Sequence, residues 1–117
     1  MNPNKRVPPV DLERVFRCIG EERMVQSVLS SYPRHLEALL TDLQAAIDRG
    51  AQPEVHRIAH SIRGGALNLG AGLLGEAALG VERSASAGDL KGAASQLSGV
   101  MHEANRVSSY LRRVYKE

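Results

Sequence analysis

Apolar residues recur along most of this chain at three- and four-residue intervals, the period of an amphipathic helix. Val10 to Ile19 reads as a short helix ended by Gly20. From Glu21 a longer helix follows, with Val25, Val28, Leu29, Tyr32, Leu36, Leu39, Leu40, Leu43 and Ile47 in helical register and Gly50 as its C-terminal cap. Pro33 falls inside this pattern. An interior proline costs about 3 kcal/mol, so the spacing predicts a kink or break near Tyr32. Pro53 suits the first turn of a third helix reaching about Asn68, which Gly70 and Gly72 interrupt. A fourth helix is predicted from Leu73 to Ala85. Gly88 then punctuates the chain, Asp89 serves as an N-cap, and a last helix runs from Leu90 to Tyr115. Residues 1–9 read as a flexible lead-in and 10–117 as one domain. Four main helices with short connections predict an all-α antiparallel four-helix bundle, with the first short helix as a cover.

Composition agrees. The chain has 117 residues, 43% hydrophobic but only 3% aromatic, enough for one packed core. It lacks the aromatic and β-branched runs that build strands. Its one cysteine, Cys18, excludes an internal disulfide, which points to a reducing cytoplasm, and is expected to be a buried core thiol. No apolar run approaches the roughly 20 residues of a membrane span, and Met1 to Pro9 is no signal peptide, although a membrane-bound parent protein remains compatible with an excised domain. Met1 and the short tails favour a free-standing chain. The net charge of +2 argues against nucleic-acid binding. Arg106, Arg112, Arg113 and Lys116, the only dense basic cluster, read as a solvated helix end favoured by the dipole.

The segment from Pro53 to Gly70 carries the candidate chemistry. At about 100° per residue, Val55, Ile58, Ala59, Ile62, Ala66 and Leu69 form one core stripe. His60 lies roughly 160° from Ile62 and so points outward from mid-helix. Gly64 and Leu67 follow on the same outer face, flanked by His56 and Arg63. Gly64 and Gly65 each cost about 1 kcal/mol relative to alanine. A solvated face gains nothing from them, whereas a face that another protein approaches closely does. Histidine is mostly neutral at cytoplasmic pH, leaving one ring nitrogen as a free nucleophile while the other holds its proton against an acceptor. Arg63 can pair with phosphate oxygens or with a partner's carboxylates.

Plainer readings stand beside these. His60 alone would pass for a surface histidine, and His35 and His102 for surface or rim residues. His56 and His60 have the spacing of a zinc pair, but no carboxylate lies between them and Arg57 and Arg63 repel a cation, so no metal site is expected. There is no Gly-rich nucleotide loop before a helix and no strand to present one.

The run His60-Ser61-Ile62-Arg63-Gly64-Gly65-Ala66-Leu67-Asn68-Leu69-Gly70 resembles the signature of the histidine-containing phosphotransfer (HPt) domains of multistep phosphorelays, approximately His-x-Leu-Lys-Gly-Ser-Ala followed by an apolar residue and a glycine. Tyr32-Pro33, Leu36, Leu39-Leu40, Leu43 and Ala46 look like that family's preceding helix, and Leu73, Leu79 and Val81-Glu82 like the following one, so the resemblance covers Asp11 to Tyr110. It implies an elongated bundle with His60 as phosphoacceptor. Arg63 stands where lysine is usual, Gly64 matches the invariant small position, and Gly65 stands where serine is common. Glu82 falls where members place a Glu or Gln facing the imidazole, which implies a tautomer-holding role.

By the same resemblance, the receiver domain of a hybrid histidine kinase docks over His60, Gly64 and Leu67. A response regulator then takes the phosphoryl group. His56, Arg57, Gly65 and Arg63 complete the docking face, and Mg²⁺ belongs to the receiver's pocket, so the chain needs no cofactor. The chain is expected to be a monomeric phosphoryl carrier with no autonomous kinase activity. The alternatives are a non-phosphorylated helical adaptor that docks receivers, and an enzyme using Cys18 or the histidines.

Overall fold

A computed structural model of the chain describes residues 8–115; most of the predicted lead-in, residues 1–7, and Lys116 of the basic cluster lie outside the described residues. Five helices follow one another: α1 (Leu12–Ile19), α2 (Glu22–Arg49), α3 (Gln52–Asn68), α4 (Gly72–Ser86) and α5 (Leu90–Val114). There is no strand among the described residues.

The boundaries follow local chemistry. Asp11 caps α1, its carboxylate accepting from the Arg14 N–H at 3.1 Å. Asp89 caps α5 in the same way, accepting from the Gly92 N–H at 2.8 Å. Orphan donors of a helix's first turn are thereby satisfied. Gly20 and Gly50 close α1 and α2 with φ of 80° and 67°, a left-handed conformation that glycine adopts without strain.

Pro33 does not break α2, which runs unbroken for 28 residues. Proline removes one backbone donor and crowds one carbonyl. Its ring is buried together with the side chains of Tyr32 and Leu36, and that apolar burial offsets the lost bond. Cys18 is likewise not a core thiol; it is exposed on α1.

Each of α2 to α5 packs on the next and α5 returns to α2, so the four close a ring, with α1 laid against α2 and α3. Two- and three-residue connections force sequence neighbours to run antiparallel. Leu29, Leu36, Leu43, Ile62, Leu74 and Leu111 fill the centre and are fully buried. Val28 departs from the stripe and is exposed. The α3–α4 pair is drawn close by small residues. A Cβ on Gly75 of α4 would meet Ala66 Cβ at 3.7 Å, and Ala59, Ala78 and Ala85 are also buried. At the far end of α3, α1 is pinned by backbone. The Asp11 N–H donates to the Leu69 carbonyl at 2.9 Å, and Arg14 Nε to the Leu67 carbonyl at 3.1 Å.

Candidate functional site

The α3 wheel holds in three dimensions. Val55, Ile58, Ala59, Ile62, Ala66 and Leu69 are all buried. That rotation leaves His60 on the opposite side, its side chain 60% exposed. The close approach of α4 places Glu82 beside it. Glu82 is the one buried charged residue among the described residues, 7% exposed. A buried carboxylate is expensive unless paired, and this one has two partners. Oε1 meets His60 Nδ1, and Oε2 accepts from Arg63 Nε at 3.0 Å.

The electrostatics fix the proton on the ring. Burial pushes the Glu82 carboxyl up, but the hydrogen bonds from His60 and Arg63 and the charges of both outweigh it and hold the group below the ordinary carboxylate range. Glu82 is therefore ionised at neutral pH, and a carboxylate only accepts. The hydrogen between it and His60 must sit on Nδ1, which in the neutral ring leaves the Nε2 lone pair free. Arg63 Nη2 also comes within 3.2 Å of Nδ1. Two donors cannot share a hydrogen bond, so with Nδ1 protonated that approach is electrostatic proximity.

Of the other predicted site residues, His56 stacks beside His60. Its imidazole lies 6.4 Å from that of His60, nearly parallel at 10°. Arg57 turns away and pairs with Glu54 at 2.8 Å. Leu67 is 46% exposed. The two glycines have different surroundings. A Cβ on Gly64 would meet nothing within 4 Å, whereas one on Gly65 would stand 3.2 Å from Tyr32 Oη. Gly64 is thus a notch on the open face, and the approach of α2 already accounts for Gly65.

Two residues that were not predicted as part of the site join the picture. Arg83, next to Glu82 on α4, lines one shallow cavity with His56, His60, Arg63 and Glu82. Its only sequence signal is that adjacency. Tyr32 Oη, behind Gly65, is buried without a hydrogen-bond partner, and burial pushes its pKa up to about 12. His35 and His102 are exposed, and the His35 ring lies 6.2 Å from that of Tyr32. No group of three or more His, Cys, Asp or Glu side chains able to hold a metal occurs among the described residues. No helix among them is long and apolar enough to cross a membrane.

The arrangement can therefore do one thing directly: present an exposed imidazole, oriented through Nδ1 by Glu82, beside a glycine notch. Against known families, the model of the Hpt domain matches residues 23–114 of the chain. Among curated proteins and solved structures, neither search returned a match.

Proposed function

The chain belongs to the Hpt domain family, whose members carry phosphoryl groups in phosphorelays, and on that premise we propose that His60 Nε2 takes a phosphoryl group from the aspartyl phosphate of a hybrid kinase's receiver domain and passes it to the aspartate of a response regulator. The Nε2 lone pair attacks phosphorus on the side away from the aspartyl oxygen. An N–P bond forms, the P–O bond breaks, and its electron pair leaves on the receiver's carboxylate. The Nδ1 proton stays between His60 and Glu82 throughout, and the carboxylate offsets the positive charge that the ring gains. The onward step is the reverse reaction against a second receiver.

The observation that carries this reading is the hydrogen bond between His60 Nδ1 and a buried, ionised Glu82. Phosphoryl transfer asks mainly for positioning and charge stabilisation. Here the chain supplies the oriented nucleophile, and Mg²⁺ with the acidic pocket comes from the receiver. Gly64 and Leu67 form the docking face, with His56 and Arg57 at its rim and Gly65 behind it, and Arg63 contributes its charge while braced on Glu82. The closed ring of α2 to α5 with α1 across α2 and α3 supports an elongated antiparallel four-helix bundle with a cover helix. Residues 10–117 form the phosphotransfer unit and 1–9 a lead-in. The carrier acts in the cytoplasm as a monomer, without kinase activity of its own.

The test is to mix the chain with a receiver carrying labelled phosphate. Label is expected to appear on the chain as an acid-labile, base-stable adduct, and His60→Gln to abolish it. A wild-type chain that binds the receiver but never takes label would contradict the proposal and favour the adaptor.

A further inference from the structure

Arg63 is the obvious cation to hold a phosphoryl group on His60, but its Nε is committed to Glu82 at 3.0 Å and its Nη2 leans towards Nδ1, the ring nitrogen opposite the reacting one. The side chain that lies parallel to the reacting ring is His56, one helical turn earlier. It is exposed, lines the same cavity, and has two ring nitrogens that both donate when the ring is protonated.

We propose that His56 is a proton-dependent clamp for the phosphoryl group on His60, holding its oxygens when the His56 ring is charged and releasing them when it is neutral. The inference rests on His60 being the phosphoacceptor and goes beyond it in assigning His56 a function. A charged imidazole donates from both ring nitrogens and a neutral one from only one, so acidification would favour retention of the phosphoryl group over its release.

The surroundings leave His56 responsive to that group. On α3, Glu54 is taken by Arg57 at 2.8 Å, and Arg63 by Glu82. From α4, Glu82 is engaged twice. Arg83 lines the same cavity, with no hydrogen bond or ion pair of its side chain among the described residues, and adds a fixed positive charge there. From α2, the charge of Arg49 acts on Glu54. From α1, Arg14 is bound to the Leu67 carbonyl at the far end of α3. The two carboxylates on this face, Glu54 and Glu82, are both paired, so the phosphoryl group would be a new strong anionic partner for His56.

Phosphoramidate, a small phosphoryl donor whose ammonia leaves as the N–P bond forms, serves as the probe on the whole chain. The His56 ring proton is titrated by NMR before and after phosphorylation of His60. The midpoint is expected to rise by about half a pH unit, roughly a threefold gain in proton affinity and the scale of an exposed ion pair. The lifetime of the adduct is then compared between the chain and His56→Gln. At pH 6 the wild-type adduct should outlast the variant's by about threefold, and at pH 8 the two should agree. His56→Lys, charged at both values, should retain the longer lifetime at pH 8. An unmoved His56 midpoint with His60 phosphorylated, or a lifetime ratio that is the same at both pH values, overturns the clamp and leaves the carrier reading standing. Phosphorylation of His56 in place of His60, or no histidine adduct at all, overturns both.

Discussion

A neutral imidazole left to itself divides its proton between two nitrogens, and at position 60 a carboxylate on another helix makes that choice. Glu82→Gln keeps an oxygen that accepts from Nδ1, so the tautomer should persist and transfer should survive. Glu82→Ala removes the acceptor, so nitrogen NMR should show both tautomers and the transfer rate should fall by about tenfold or more, the worth of one charge-assisted hydrogen bond. Equal rates in the two variants would show that the carboxylate does not orient the ring. Tyr32 offers a test with no catalytic content. Its buried hydroxyl has no partner, and an unsatisfied buried polar group costs about 1–3 kcal/mol. Tyr32→Phe is therefore expected to stabilise the chain by about 1 kcal/mol in urea unfolding. Destabilisation would mean that the hydroxyl is satisfied in solution. The serine that the family resemblance places at position 65 has a counterpart in the same gap: Gly65→Ser would bring a hydroxyl towards Tyr32 Oη, 3.2 Å from the added Cβ.

At the scale of the element, α3 carries two demands that conflict. A helix prefers alanine to glycine by about 1 kcal/mol, and at Gly64 nothing within 4 Å opposes a Cβ. Gly64→Ala should accordingly raise stability by up to about 1 kcal/mol, read from the urea midpoint. Gly64→Leu should leave the bundle folded yet block labelling by a phosphorylated receiver, because its side chain fills the notch; transfer at the normal rate would refute the docking face. The outward direction of His60 was legible from spacing alone, because helix periodicity is local and the core stripe from Val55 to Leu69 fixes which way it points. Other features of the elements were not legible in that way. The expected break at Pro33 depended on the local price of a missing donor, whereas burial of the ring across the bundle decided the outcome. Cys18 had the composition of a core residue but sits on a short helix with only Val15 buried. The one motive assigned to both glycines failed for Gly65 because no wheel of α3 shows where Tyr32 of α2 will come.

At the scale of the molecule, the number of helices and their antiparallel order follow from punctuation that the chain displays openly, namely glycine caps, aspartate caps and short connections. The meeting of His60 with Glu82 does not, since it is set by the rotation of α4 against α3. Periodicity leaves that rotation open, and only the family resemblance pointed to Glu82. The buried carboxylate also ties global stability to pH. Its folded pKa lies below the ordinary value of 4.5, so its contribution is complete above that value and is lost as pH falls through the folded pKa. Stability measured by urea unfolding should therefore drop more steeply below about pH 4.5 in the wild type than in Glu82→Gln; parallel curves would show that the pair contributes nothing to folding. The central claim concerns a single nitrogen. Heteronuclear NMR on ¹⁵N-histidine-labelled chain, after transfer from a phosphorylated receiver, should show phosphorus coupled to Nε2 of His60 with Nδ1 still protonated. Phosphorus on Nδ1, on another histidine or on none would contradict the account.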